Sequence, residues 1–279
     1  MQTALEDDAD FRKILETVLK IKGFDGLHYK VNYIKRRIAV RMRATRVETY
    51  GEYLKVLLGM PEESTQLLDR LTIHVTDFFR DSSVYQALQE KIFPEFIQKS
   101  LAKKIRVWSA GCSTGEEPYS AAFLMQELRK LNSGLSFEIL ATDIDDGSIR
   151  IARNGEYSSQ SIQKISKKII GDMFRAETSR FKIIPNLRKS VRFLKHDLLG
   201  DWPFEFSDFD LIFCRNLLIY LTAIQQQKLY ERFYRVLVPG GYLVLGLTET
   251  LLGPARDLFN CVDVRNRIYK TIPGNDVNF

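Results

Sequence analysis

The sequence has 279 residues, 45% of them apolar and 27% charged, which allows a sizeable core in one large domain or two smaller ones and excludes a disordered chain. Its formal net charge of +6 suits an acidic partner surface without demanding nucleic acid. Cys112, Cys214 and Cys261 form no C-x-x-C pair and His28, His74 and His196 are scattered, so neither a disulfide framework nor a metal site is expected. Reduced thiols fit a cytoplasmic protein. The start, MQTALEDDADF, lacks an apolar signal core, and no apolar run is long enough for direct membrane insertion.

Phe11, Ile14, Leu15, Val18 and Leu19 recur at helical spacing, and Gly23 ends that run. A second helix is expected over residues 29–44. It carries Lys30, Lys35, Arg36, Arg37, Arg41 and Arg43 with no acid among them. Like charges this dense repel one another unless something acidic neutralises them, which favours a docking face over a merely solvated one. Nucleic acid suits it less, because the aromatic interleaving is limited to Tyr29 and Tyr33. Helices over 49–58 and 61–73 follow. The run H-V-T-D-F-F-R-D at 74–81 closes this region. Its phenylalanines read as core, and Thr76 and Arg80 read as the lip of a site where a guanidinium can grip a carboxylate.

A helix over 85–97 leads to I-R-V-W at 105–108, a buried strand. A turn of small residues, 109–115, and a helix opened by Glu116, Glu117 and Pro118 come next. Strand, glycine turn and helix start is how open α/β sheets build a nucleotide site. Gly111 and Gly115 are spaced G-x-x-x-G, so the dinucleotide fingerprint is absent, as is a P-loop lysine. Two glutamates would repel a pyrophosphate but suit a ligand with hydroxyls and positive charge, such as S-adenosylmethionine. A plain βα turn with a capped helix explains the same stretch equally well.

A second strand over 137–142 ends in Asp143-Ile-Asp145, where such sites bind ribose hydroxyls, and a helix over 148–153 follows. Residues 156–191 break the βα rhythm with many lysines and arginines. Strand-like runs at 181–184 and 191–194 read as a small antiparallel excursion, an inserted β-subdomain over 171–194. Asp197 and Leu198 return to the sheet edge. F-D-L-I-F-C at 209–214 is the strongest buried strand, and ligands sit beyond the carboxyl ends of parallel strands, so Arg215, Asn216 and Tyr220 should face the site. An amphipathic helix over 223–236, the turn P-G-G at 239–241 and strands at 242–247 and 265–270 complete the chain.

Five segments together resemble the CheR-type chemotaxis receptor glutamate O-methyltransferases: T-D-F-F-R at 76–80, W-S-A-G-C-S-T-G-E-E-P-Y at 108–119, A-T-D-I-D at 141–145, F-C-R-N-L-L-I-Y at 213–220 and L-V-P-G-G-Y at 237–242. They span most of the chain in the family's order. The resemblance implies an all-α N-terminal domain (1–80) and an α/β, class I (Rossmann-like) methyltransferase domain (81–279) carrying the inserted subdomain. It implies S-adenosylmethionine as cofactor, leaving as S-adenosylhomocysteine, and transfer of its methyl group to receptor glutamate side chains. His74, Thr76, Arg80, Gly111, Glu117, Asp143, Asp197, Leu198, Cys214 and Arg215 would line the cofactor, with Arg80 and Tyr220 flanking the transferring methyl. His74 and Asp197 stand where the family commonly carries asparagine. The basic helix around Lys35, Arg36, Arg37, Arg41 and Arg43 would dock the receptor's acidic methylation region. Arg175-Ala-Glu-Thr-Ser-Arg180 replaces the longer glycine-rich loop of members that tether a receptor's C-terminal peptide, so no tether is expected. Another methyltransferase substrate, such as nucleic acid, is a rival, though an Asn-Pro-Pro-Tyr-like segment is missing. A cofactor-binding module without catalysis is the other rival.

Overall fold

A computed structural model describes residues 2–72, 75–99, 104–203 and 207–274. It divides into two compact units, Met1–Ile73 with Tyr220–Gln225, and His74–Ile219 with Gln226–Phe279. The first boundary lies earlier than the expected 80. The reason is that Phe78 and Phe79 pack with the α/β core and carry residues 75–80 with them.

The first unit is helical: α1 (Gln2–Lys22), α2 (Val31–Thr45), α3 (Tyr50–Gly59) and α4 (Pro61–Leu71). Thr49 and Glu52 form a reciprocal capping box at the start of α3, and Pro61 occupies the first turn of α4, where its missing N–H costs nothing. Ile14, Val18, Ile34, Ile38, Tyr53, Leu57, Leu67 and Leu71 form the core. Arg41 sits in the same stripe as Ile34 and Ile38, at i, i+4 and i+7 of α2, and only 9% of it is exposed. Its guanidinium grips Glu63 bidentately (2.9 and 2.7 Å), and the Tyr53 hydroxyl donates to the same carboxylate (2.6 Å). Arg41 is therefore a structural residue and not part of a docking face, which corrects the reading from charge alone.

Residues 220–222 join this unit through backbone bonds. Lys30 N–H donates to the Tyr220 carbonyl (2.9 Å), Thr222 N–H donates to the His28 carbonyl (3.0 Å), and Tyr29 and Leu221 form an antiparallel bridge. The Tyr220 ring lies 4.8 Å from that of Tyr33.

The second unit begins with α5 (Ser82–Ala87) and α6 (Phe93–Lys99), joined by a π-helical turn, Leu88–Ile92. Next come β1 (Ile105–Ala110), α7 (Glu116–Leu131), β2 (Phe137–Asp143), α8 (Asp146–Asn154), β3 (Glu156–Ser158), α9 (Ser159–Ile162), α10 (Lys167–Met173), β4 (Phe174–Glu177) and β5 (Arg180–Ile183). The remainder is α11 (Pro185–Lys189), β6 (Val191–Lys195), β7 (Phe209–Cys214), α12 (Ala223–Val236), β8 (Leu237–Leu245), β9 (Phe259–Asp263) and β10 (Ile268–Thr271). Seven strands form one sheet in the order β6-β2-β1-β7-β8-β10-β9. Pairings from β6 to β8 are parallel, and β10 runs antiparallel to both its neighbours. The strand order reverses at β1, which has β2 on one side and β7 on the other. That reversal opens a crevice at the carboxyl ends of the strands.

β7 is buried at every position, as its unbroken apolar run requires of a central parallel strand. The indole N–H of Trp108, in β1, donates to the Thr142 hydroxyl (3.0 Å), and its ring meets Trp202, Phe209 and Phe233.

The inserted sheet is present, but its strands are β3, β5 and β4, all antiparallel. Val191–Lys195, expected as part of the excursion, is instead the edge strand β6 of the main sheet, parallel to β2. The insertion thus starts at Glu156 and closes before α11. A strand's own residues do not reveal which sheet it joins, and α11 supplies the turn back to the main sheet.

Cutting one partner of the buried pair in the helical unit should be costly. Arg41→Ala leaves the Glu63 charge enclosed, and chemical denaturation should show a loss of about 3–5 kcal/mol. Replacing Arg41 and Glu63 together by methionine should recover most of that loss.

Candidate cofactor site

The site is built on the crossover from β1 to α7. Gly111 and Gly115 hold φ of +82° and +98°, and Ser113 between them holds +48°. At Gly115 there is also no room for a side chain, because a Cβ would sit 2.9 Å from the Cβ of Ala152. The Gly111 and Cys112 N–H groups both donate to the Thr142 carbonyl (2.8 and 2.9 Å), so the turn is pinned to the end of β2.

Asp143 ends β2 and holds the same turn. One carboxylate oxygen accepts the Ser113 N–H (2.8 Å) and the other accepts the Asp145 N–H (2.9 Å). A carboxylate fixed in this way at the carboxyl end of β2 suits ligand hydroxyls.

The two glutamates of the helix start do different work. The Glu117 carboxylate accepts from the Ser109 hydroxyl (2.7 Å) and from Arg215 Nη1 (3.3 Å). Burial pushes its carboxyl up, and the Arg215 guanidinium pulls it back towards ionisation. Glu116 is 5% exposed and accepts from the Thr114 hydroxyl (2.7 Å). Burial pushes its carboxyl up to about 7.

Arg215 follows β7. Its side chain is 2% exposed, and Nη2 donates to Asp81 Oδ2 (2.7 Å) and to the Arg80 carbonyl (2.9 Å). The guanidinium therefore joins the end of β7 to the start of α7 and to the turn at 80–81. Arg80 is half-buried, and its own guanidinium donates to the Val75 carbonyl (2.7 Å).

Other residues expected at the site are spread along the carboxyl ends of the parallel strands. Cys214 is fully buried as the last residue of β7. Asp197 and Leu198 follow β6, where Asp197 Oδ1 accepts the Leu199 N–H (2.9 Å) and the Leu198 carbonyl accepts from the Trp202 indole (2.9 Å). Thr76 is half-buried in the irregular segment after α4. His74 lies outside the described residues. Tyr220 groups with the helical unit and is described there.

Sequence reasoning missed several contributors. Asp81 and Ser109 complete the Glu117–Arg215 cluster. Glu249 is 4% exposed, and its carboxylate receives the N–H groups of Gly246, Asn216 and Ile219 (2.7, 2.8 and 3.2 Å), fixing the loop after Arg215. Asn216 holds φ +59° in that loop, a conformation asparagine tolerates.

Ser113 Oγ and Arg215 Nε are buried without a hydrogen-bond partner, one in the glycine turn and the other in the cluster beside it. Orphaned donors at a crevice edge fit a polar ligand that completes them. The available set is carboxylates at Asp143 and Glu117, a hydroxyl at Ser113 and a close-approach turn. It matches the hydroxyls, amine and sulfonium of S-adenosylmethionine.

Glu116 gives a pH test. Between the ordinary carboxyl value of 4.5 and about 7, the unfolded chain gives up this proton and the folded chain keeps it, so stability falls across that window as pH rises. Glu116→Gln should raise stability by roughly 3 kcal/mol at pH 8 and by less than about 1 kcal/mol at pH 5, measured by paired denaturant titrations.

Comparison with known proteins agrees with this geometry. Residues 9–72 match the model of the CheR methyltransferase all-alpha domain, and residues 74–268 match that of the CheR methyltransferase SAM binding domain. A chemotaxis protein methyltransferase of Listeria monocytogenes is 36% identical over 248 residues, covering 89% of this chain and 92% of the relative. The chemotaxis protein methyltransferase Cher2 of Pseudomonas putida is 32% identical over 260 residues, covering 91% and 93%. With both units matched and the crevice fitted to its donor, the chain belongs to the CheR family of S-adenosylmethionine-dependent methyltransferases.

Proposed function

We propose that this protein methylates glutamate side chains of chemotaxis receptors, giving glutamyl methyl esters in sensory adaptation. The match of both the helical and the cofactor-binding units to one methyltransferase family carries the reading. Relatives named chemotaxis protein methyltransferases support chemotaxis as its setting.

The donor supplies a methyl group already activated on sulfur. The protein's own residues then have three tasks. Asp143 and the turn at 111–115 hold the sugar and amino-acid parts, with Thr76, Glu117, Asp197, Leu198, Cys214 and Arg215 around them. Arg80 orients a carboxylate, and Tyr220 shapes the path of the methyl group. A glutamate carboxylate is ionised at neutral pH, with an ordinary pKa near 4.3, so no general base is needed. Alignment at about 3–3.5 Å and a dry crevice account for the remaining catalysis.

Substrate docking belongs to α2 in a narrowed form. Arg36 and Arg43 are exposed, and Arg37 is half-buried over the Tyr33 ring. Lys35 lies 3.2 Å from Asp8 and 5.1 Å from the Phe11 ring centroid, so it contributes only part of its charge. No helix among the described residues is long and apolar enough to cross a membrane. The protein would meet its receptors from the cytoplasm by charge, without a peptide tether or nucleic acid.

Two experiments test this reading. Arg80→Ala and Tyr220→Phe should each lower base-labile methyl transfer to receptor by about 10²-fold or more, the loss expected when positioning is disturbed. Full activity in both would refute the assigned roles. The double charge reversal Arg36→Glu with Arg43→Glu should raise the KM for receptor roughly tenfold while leaving calorimetric S-adenosylhomocysteine affinity unchanged.

A further inference from the structure

The first strand of the inserted sheet reaches back to the cofactor turn. The Tyr157 hydroxyl, on β3, donates to the Thr114 carbonyl (2.7 Å), one residue before Gly115. The approach is close enough that a Cβ on Gly115 would lie 3.0 Å from the Tyr157 oxygen. The Tyr157 ring is 3% exposed. It stands edge-on to Phe78 (4.8 Å), Phe174 (6.3 Å) and Tyr119 (6.3 Å). Phe78 comes from the segment that carries Thr76 and Arg80, and Phe174 opens β4. One buried tyrosine therefore touches the cofactor turn, the 76–80 segment and two strands of the inserted sheet. A second link runs outside this cluster, where Lys164 of the insertion pairs with Asp77 (2.7 Å). Both side chains of that pair are largely exposed, so it adds little.

We propose that Tyr157 is a positioning residue for donor binding, clamping the 114–115 peptide so that the inserted sheet sets the affinity of the cofactor turn. A carbonyl at a left-handed turn has few ways to be satisfied, and its bond fixes the plane of the following peptide. That peptide leads directly into the first N–H groups of α7, which face the ligand in sites of this kind. The hydroxyl is committed to the Thr114 carbonyl. It acts through the turn, and its ring is held in turn by Phe78 and Phe174. This inference rests on the donor occupying the crevice over 111–115.

The test uses the full chain with S-adenosylhomocysteine as probe. Tyr157→Phe removes only the hydroxyl and keeps the ring in its aromatic cluster. Calorimetry should give a Kd raised about tenfold, with kcat at saturating donor within about twofold of the parent. Tyr119→Phe is the control. Its hydroxyl donates to the Ala152 carbonyl of α8 (2.8 Å) in the same core, and not to a carbonyl of the turn. It should lower thermal stability to a similar extent while leaving the Kd within about twofold. An unchanged Kd in Tyr157→Phe, or an equal loss in Tyr119→Phe, overturns the positioning role. If Tyr157→Phe does not fold, Phe174→Leu loosens the same ring from β4, and an unchanged Kd there overturns the role as well. Absence of binding by the parent protein would instead refute the donor site itself.

Discussion

A buried guanidinium is affordable only if its surroundings are built around it, and the architecture of the cofactor unit depends on Arg215 in this way. Its partners come from three separate places: Glu117 at the start of α7, Asp81 before α5, and the Arg80 carbonyl. Phe79 and Asp81 both hold left-handed backbone, at φ +51° and +58°. An aromatic residue rarely adopts that region, so at Phe79 the turn persists because the charge network and the packed phenylalanines over-determine it. The same network keeps Glu117 close to a cation despite its burial, at the mouth of a site for a positively charged donor.

The parts of the fold that were legible in the sequence are those where local pattern and tertiary role coincide. F-D-L-I-F-C read as the strongest buried strand, and Gly111 and Gly115 announced a tight turn open to close approach. Asp143 at the end of β2 followed from the spacing of a βα unit. The pair Glu116–Glu117 read as one feature but is two. Successive helical residues point about 100° apart, so one carboxylate meets Arg215 and the other is sealed against Thr114. Arg41 was legible too, had its register with Ile34 and Ile38 been weighed above its charge.

The remainder depended on contacts distant in sequence. Asp81 meets Arg215 across 134 residues, and Tyr157 meets Thr114 across 43. No local pattern announces such pairs. Strand membership is similarly opaque: Val191–Lys195 carries the same signal whether it completes an inserted sheet or the edge of the main one. β3, β4 and β9 were not anticipated, since very short strands and a mostly exposed edge give almost no periodicity to read.

These features give one sequence two kinds of surface: a helical unit whose α2 exposes Arg36 and Arg43, and a crevice whose charged groups are held in place before any ligand arrives. Such pre-organisation is what a reaction needing alignment rather than proton transfer requires. A crystal structure of the protein with S-adenosylhomocysteine bears on this most directly. The ligand should lie over the turn at 111–115 with its ribose on Asp143, and Ser113 Oγ and Arg215 Nε should acquire partners. A ligand seated elsewhere, with both atoms still unpartnered, would contradict the account.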